Sequence, residues 1–158
     1  MSGRLQLIAR LIKADLGTRV YYAVQRGYDT HSTQLPVHSR LLRELAGALQ
    51  AFLDDLRTAG LEERVLVMCF SEFGRRVKEN ASVGTDHGTA GPMLLAGGMI
   101  RPGVHGETPS LLELENGDLK HTVDFRSVYA TVLADWLGLP VSSALDREFA
   151  EIDLVRAG

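Results

Sequence analysis

The chain is poor in cysteine, in long apolar runs and in charge of either sign gathered in one place. Cys69 is the one cysteine among 158 residues, so no intramolecular disulfide can form and the fold must stand on its core. It lies inside the apolar run 65–70, where a thiol is expected to be a small strand residue. A reactive thiol needs an exposed, electropositive setting. No apolar run approaches the roughly 18–20 residues that span a bilayer, so no membrane partner is expected. The first ten residues have neither the apolar core nor the small-residue cleavage site of a secretory signal. Seventeen basic residues stand against twenty acidic ones for a net charge of −3, and the basic ones are scattered. That distribution lacks the electrostatic footprint of a nucleic-acid-binding surface. What is present, 45% hydrophobic and 23% charged residues, is the balance of an ordinary globular protein. The length fits a single domain over 1–158 with a core of its own.

Periodicity divides the chain. Leu5, Ile8, Leu11 or Ile12, and Leu16 recur at helical spacing, predicting a helix over 4–16 stopped by Gly17. Residues 20–24, β-branched and aromatic, read as a strand that runs into Gly27. Pro36 opens the longest helix, to about residue 58, with Leu41, Leu45, Leu49, Phe52 and Leu56 as its apolar stripe. The apolar run 65–70 suits a central strand covered on both faces. Residues 71–91 are polar and aperiodic, and such long loops are usually functional or mobile. A short strand at 93–96 follows, then a turn-rich stretch in which Asn116-Gly117 can close a hairpin between 112–114 and 119–121. A final helix starts at Asp124 and ends near Leu137, before Gly138 and Pro140. This order predicts a layered α/β/α sandwich with a mostly parallel sheet. Sites in such sheets form at the carboxyl ends of strands, which selects the loops after Val24 and Phe70.

Three polar stretches can carry chemistry. In Gly27-Tyr28-Asp29-Thr30-His31, a carboxylate and an imidazole two residues apart suit a divalent or transition metal. The plainer alternative is an Asx-turn with His31 on the surface. In Ser71-Glu72-Phe73-Gly74-Arg75-Arg76, Glu72 stands where a ligand or general base belongs, and Arg75 and Arg76 can hold an anion. A solvated turn with two exposed arginines explains the same residues. In Gly84-Thr85-Asp86-His87-Gly88, small neighbours let the backbone approach an ion, with His87 as ligand and Asp86 as ligand or orienting carboxylate. Here the alternative is a flexible glycine-shaped loop. His38 reads as a surface residue, His105 and His121 sit in turn-rich segments without acidic partners in a recognisable pattern, and Asp124 reads as capping or charging the start of a helix. Arg126 reads as a surface ion pair, and Trp136 with Val128, Val132 and Leu133 as core stripe.

Taken together, Gly-Tyr-Asp-Thr-His at 27–31, Phe-Ser-Glu-Phe-Gly-Arg-Arg at 70–76, Gly-Thr-Asp-His-Gly at 84–88 and the stretch 118–130 resemble the C-terminal part of the DUF1501 family. That family belongs to the alkaline-phosphatase/sulfatase-like superfamily, and the matching covers about residues 5–139. The resemblance implies an α/β/α sandwich with a one- or two-metal centre. It implies a nucleophile that attacks phosphorus or sulfur while metal ions stabilise the developing charge. Carried over by motif, Asp29, His31, Glu72, Asp86 and His87 are the expected metal ligands, for Zn, Mn, Ca or Mg. Glu72 and Arg75 are the expected catalytic pair, and an anionic small molecule is the expected substrate. Two departures stand out. Phe73 occupies a position where the superfamily has a histidine, and no strand–Asp–nucleophile unit precedes Gly27.

The chain therefore resembles a domain truncated at its N-terminus, and export, which the resemblance suggests for full-length relatives, is not transferred to it. Two readings follow. The first is the metal-binding half of a hydrolase of phosphate or sulfate esters, inactive or nearly so by itself. The second is a non-catalytic domain that binds an anion or a partner protein through the same crevice. A sandwich missing strands would expose an apolar edge, so self-association or pairing with the missing half is expected.

Overall fold

A computed structural model describes residues 1–156. The chain folds as two compact units, one made of Met1–Glu63 and Lys78–Asp86, the other of Arg64–Val77 and the chain from His87 onward.

The first unit is built on two helices, α1 (Ser2–Lys13) and α2 (Gln34–Thr58). Leu5 and Ala9 of α1 are buried, as are Ala48 and, from the stripe that helical spacing singles out, Leu41, Phe52 and Leu56 of α2, while Leu45 and Leu49 are half-buried. Lys13 in the last turn of α1 pairs with Asp55 at 2.7 Å. The start of α2 is unusual. Thr33 occupies the N-cap in the left-handed region (φ 43°), and its side chain makes no cap bond. Instead the Thr33 and Gln34 N–H groups donate to the carbonyls of Ser82 (2.9 Å) and Val83 (3.1 Å), so a distant turn satisfies donors that a helix start leaves unpaired. The other end closes as a Schellman motif. Gly60 (φ 68°) donates to the Arg57 carbonyl at 3.0 Å and Leu61 to that of Leu56 at 2.9 Å.

In the second unit, β1 (Val67–Cys69) pairs antiparallel with β4 (Leu94–Ala96), with Val67 opposite Ala96 and Cys69 opposite Leu94. Gly97 ends β4 against the chain entering β1; a Cβ there would lie 2.2 Å from the Val65 carbonyl oxygen. Asp124 caps α3 (Phe125–Thr131), its carboxylate accepting from the Arg126 N–H at 2.9 Å. A π-helical turn (Val132–Trp136) carries α3 on to Gly138. Thr131, fully buried, donates to the Ser127 carbonyl and accepts from the Ile152 N–H at 2.8 Å. The last described segment is tied down there and again by an Ile100–Val155 bridge.

A second ribbon pairs β2 (Gly74–Glu79) with β3 (Thr85–Gly88), joined by residues 80–84. So short a link permits antiparallel pairing alone, since a parallel crossover needs about a dozen residues.

The mostly parallel α/β/α sandwich expected from the sequence is therefore overturned. Among the described residues the sheets are two short, two-stranded, antiparallel ribbons. Residues 20–24 join no ladder, and β1 finds its one neighbour in β4. An apolar run fixes which residues leave water; it does not fix which strand they meet or in which direction.

Candidate metal centre

Asp29 and His31 lie in the loop that leads into α2. Tyr28 anchors that loop, its hydroxyl 3.3 Å from the Leu41 carbonyl and its ring edge-on to His38 at 5.7 Å. The Thr30 N–H donates to the Tyr28 carbonyl at 2.9 Å, a three-residue turn with Asp29 at its apex. Asp29 Oδ1 lies 2.9 Å from His31 Nε2. Across the unit, Asp86 in β3 brings its Oδ1 to 3.2 Å from His31 Nδ1. One imidazole is thus held between two carboxylates, and all three side chains are exposed.

Two further residues make this arrangement possible. Gly84 packs against the backbone of His31, where an added Cβ would meet the carbonyl oxygen at 2.5 Å and its carbon at 2.6 Å. Asn80 donates to the His31 carbonyl at 3.0 Å and to Asp86 Oδ1 at 3.2 Å. The sequence singles out Gly84 as a small neighbour of Asp86-His87 but passes over Asn80, because the stretch 71–91 has no apolar alternation to reveal a hairpin. The visible signal was its turn composition, Asn80-Ala81-Ser82-Val83-Gly84.

The remaining expected site residues belong to the second unit. His87, the residue directly after Asp86, stacks on Phe73 with ring centroids 3.8 Å apart and planes 8° apart. The Arg75 guanidinium lies 5.0 Å from the centroid of that same ring, and Glu72 is exposed. Arg76 donates to Asp118 at 3.1 Å and to the Asn116 carbonyl at 2.6 Å, so this arginine props a turn. Cys69 is half-buried, and burial pushes its thiol up from the ordinary value, the setting of an inert cysteine.

A model of the DUF1501 family, described as a protein of unknown function, matches residues 3–143. The chain belongs to the DUF1501 family. Comparison with curated proteins and with solved structures finds no match. Family membership covers all the motif residues discussed above and, with an undefined family role, assigns no chemistry to them.

The fit of the DUF1501 motif residues to a metal ion rests on distances and donor types. Two ligands at about 2.1 Å from one ion, 90–110° apart, sit roughly 3.0–3.4 Å from each other. The Asp29–His31 and His31–Asp86 separations of 2.9 and 3.2 Å lie at or near that range. The two nitrogens of one ring point apart and cannot share an ion. A metal on one side therefore leaves the other carboxylate as the group that orients the ring. Oxygen and imidazole nitrogen together suit Zn²⁺ or Mn²⁺. The residues fit.

Proposed function

We propose that this chain is the metal-binding part of a hydrolase resembling alkaline phosphatases and sulfatases, with phosphate or sulfate esters as its substrate class. The observation that carries the metal reading is His31 with a carboxylate oxygen on each ring nitrogen. The substrate class rests on the motifs alone and takes no support from the fold.

In this proposal Asp29 and His31 are ligands, and Asp86, on the opposite ring nitrogen, fixes the tautomer and orientation of the imidazole. His87 is the further imidazole that the Asp86-His87 motif supplies. Arg75 is the proposed anchor for an anionic oxygen, and Glu72 a proposed ligand or proton acceptor. A divalent ion bound here would stabilise negative charge developing on an ester oxygen.

The test is elemental analysis of protein purified without chelator and then titrated with Zn²⁺ or Mn²⁺. We expect about one equivalent in the wild type and loss of binding in Asp29→Ala and His31→Ala, with a smaller loss in Asp86→Ala. Equally low metal in the wild type and all three variants would remove the basis of the proposal. Any hydrolysis of aryl phosphates or sulfates by the loaded protein should vanish in His31→Ala; turnover that survives that change counts against the assignment.

A further inference from the structure

We propose that Asn80 is a positioning residue of this centre, a side chain that holds both the Asp86 carboxylate and the His31 loop. The inference rests on the metal reading above only for its consequence on affinity; its geometry stands independently.

A primary amide offers two N–H donors and two acceptor lone pairs. Asn80 uses all four. Its Oδ1 accepts from the N–H groups of Ser82 (2.9 Å) and Gly84 (3.2 Å), and its Nδ2 donates to the His31 carbonyl (3.0 Å) and Asp86 Oδ1 (3.2 Å). The amide can face only this way. Turned over, Nδ2 would oppose two N–H donors and Oδ1 would oppose a carbonyl and a carboxylate. The donor to Asp86 is therefore fixed, and it meets the same oxygen that faces His31 Nδ1.

The consequence is mechanical. Asp86 and His31 are exposed, so contacts with neighbouring groups, Asn80 among them, decide their conformation. The acceptor half of Asn80 shapes the 80–84 turn. Its donor half, held by that turn, pins one oxygen of Asp86 and the backbone of His31. Partners that orient a metal-binding imidazole typically change metal affinity by about 10–100-fold when removed.

Asn80→Asp separates the two halves, because it keeps the acceptor for Ser82 and Gly84 and loses both donors. We expect a melting temperature below that of the wild type, because a carboxylate oxygen now faces the His31 carbonyl and Asp86, together with an Asp86 side chain averaged over rotamers and Zn²⁺ affinity lower by about tenfold or more. The rotamers are read from three-bond couplings across the Asp86 Cα–Cβ bond in metal-free protein. A second measurement needs no Asn80 variant. The Asn80 side-chain amide protons should exchange slowly with water in the wild type and faster in Asp86→Ala. Wild-type couplings in Asn80→Asp, or an amide that exchanges at the free rate in the wild type, would overturn the inference. A wild type that binds no Zn²⁺ would defeat the metal function while the couplings and exchange rates still decide the role of Asn80.

Discussion

His31 sits between two acceptors, a carboxylate oxygen at each ring nitrogen, while a neutral imidazole carries a single N–H. The chain creates this situation through backbone packing as much as through charge. Gly84→Ala would drive a methyl group into the His31 carbonyl, and neither backbone segment has a flexible side chain that can yield. We expect a loss of about 1–3 kcal/mol in stability by thermal unfolding, together with reduced Zn²⁺ binding. A variant as stable as the wild type would show that the loop moves freely. Asp124 gives a second residue-scale outcome. The Arg126 guanidinium, and then the Arg126 N–H, hold its carboxyl down at about 2. An unfolded aspartate titrates near ~3.9, so the stabilisation is complete above that pH and is lost as pH falls through about 2. Asp124→Asn keeps a cap acceptor and cannot titrate. The difference in denaturation midpoint between the two proteins should stay constant from pH 7 to about 4.5 and shrink towards pH 2. A constant difference down to pH 2 would refute the pairing. Asp124 as a cap was legible from its place before an apolar-periodic run. Asn80 was not, because its role is set by His31, which is remote in sequence.

At the scale of elements, helices were legible and sheets were not. The α2 stripe is local information. Leu41, Phe52 and Leu56 repeat at helical spacing, and all three are buried. Leu56 has no exposed surface, and truncating it to alanine should cost about 2–5 kcal/mol in chemical denaturation, the range for a core leucine that leaves a cavity. Less than ~1 kcal/mol would mean that the helix pair closes around the gap. Strand pairing is information of another kind. Residues 20–24 and 65–70 both have strand composition, yet the first joins no ladder and the second pairs with β4. The strand β2, with the sequence Gly-Arg-Arg-Val-Lys-Glu, has no apolar alternation for a reader to find. Its register comes from the tight 80–84 turn instead. Asn116-Gly117 illustrates the middle case. The turn forms, with positive φ at both residues and a Glu115–Asp118 bridge, but the flanking strands expected at 112–114 and 119–121 do not. Composition located the bend and overstated the ladder.

Across the whole molecule, the apolar side chains left in water decide the last expectation. In the first unit Val20 is 68% and Tyr22 76% exposed, two residues apart in a segment with strand composition and no ladder. In the second unit Leu112 is 94% exposed, beside an exposed Leu111. No helix among the described residues is long and apolar enough to cross a membrane. Scattered single apolar residues are ordinary, whereas contiguous exposed apolar patches mark interaction surfaces. We therefore expect self-association, with residues 20–24 supplying backbone groups as well as side chains to the contact. Analytical ultracentrifugation should show mass rising with concentration. The double change Val20→Ser and Tyr22→Ser should shift the distribution towards monomer while leaving α-helical content unchanged, because neither residue belongs to α1 or α2. A strictly monomeric wild type at high concentration would end this expectation, and so would association that the double variant leaves untouched. The second result would move attention to Leu111 and Leu112, whose exposure gives the other unit an apolar surface of its own.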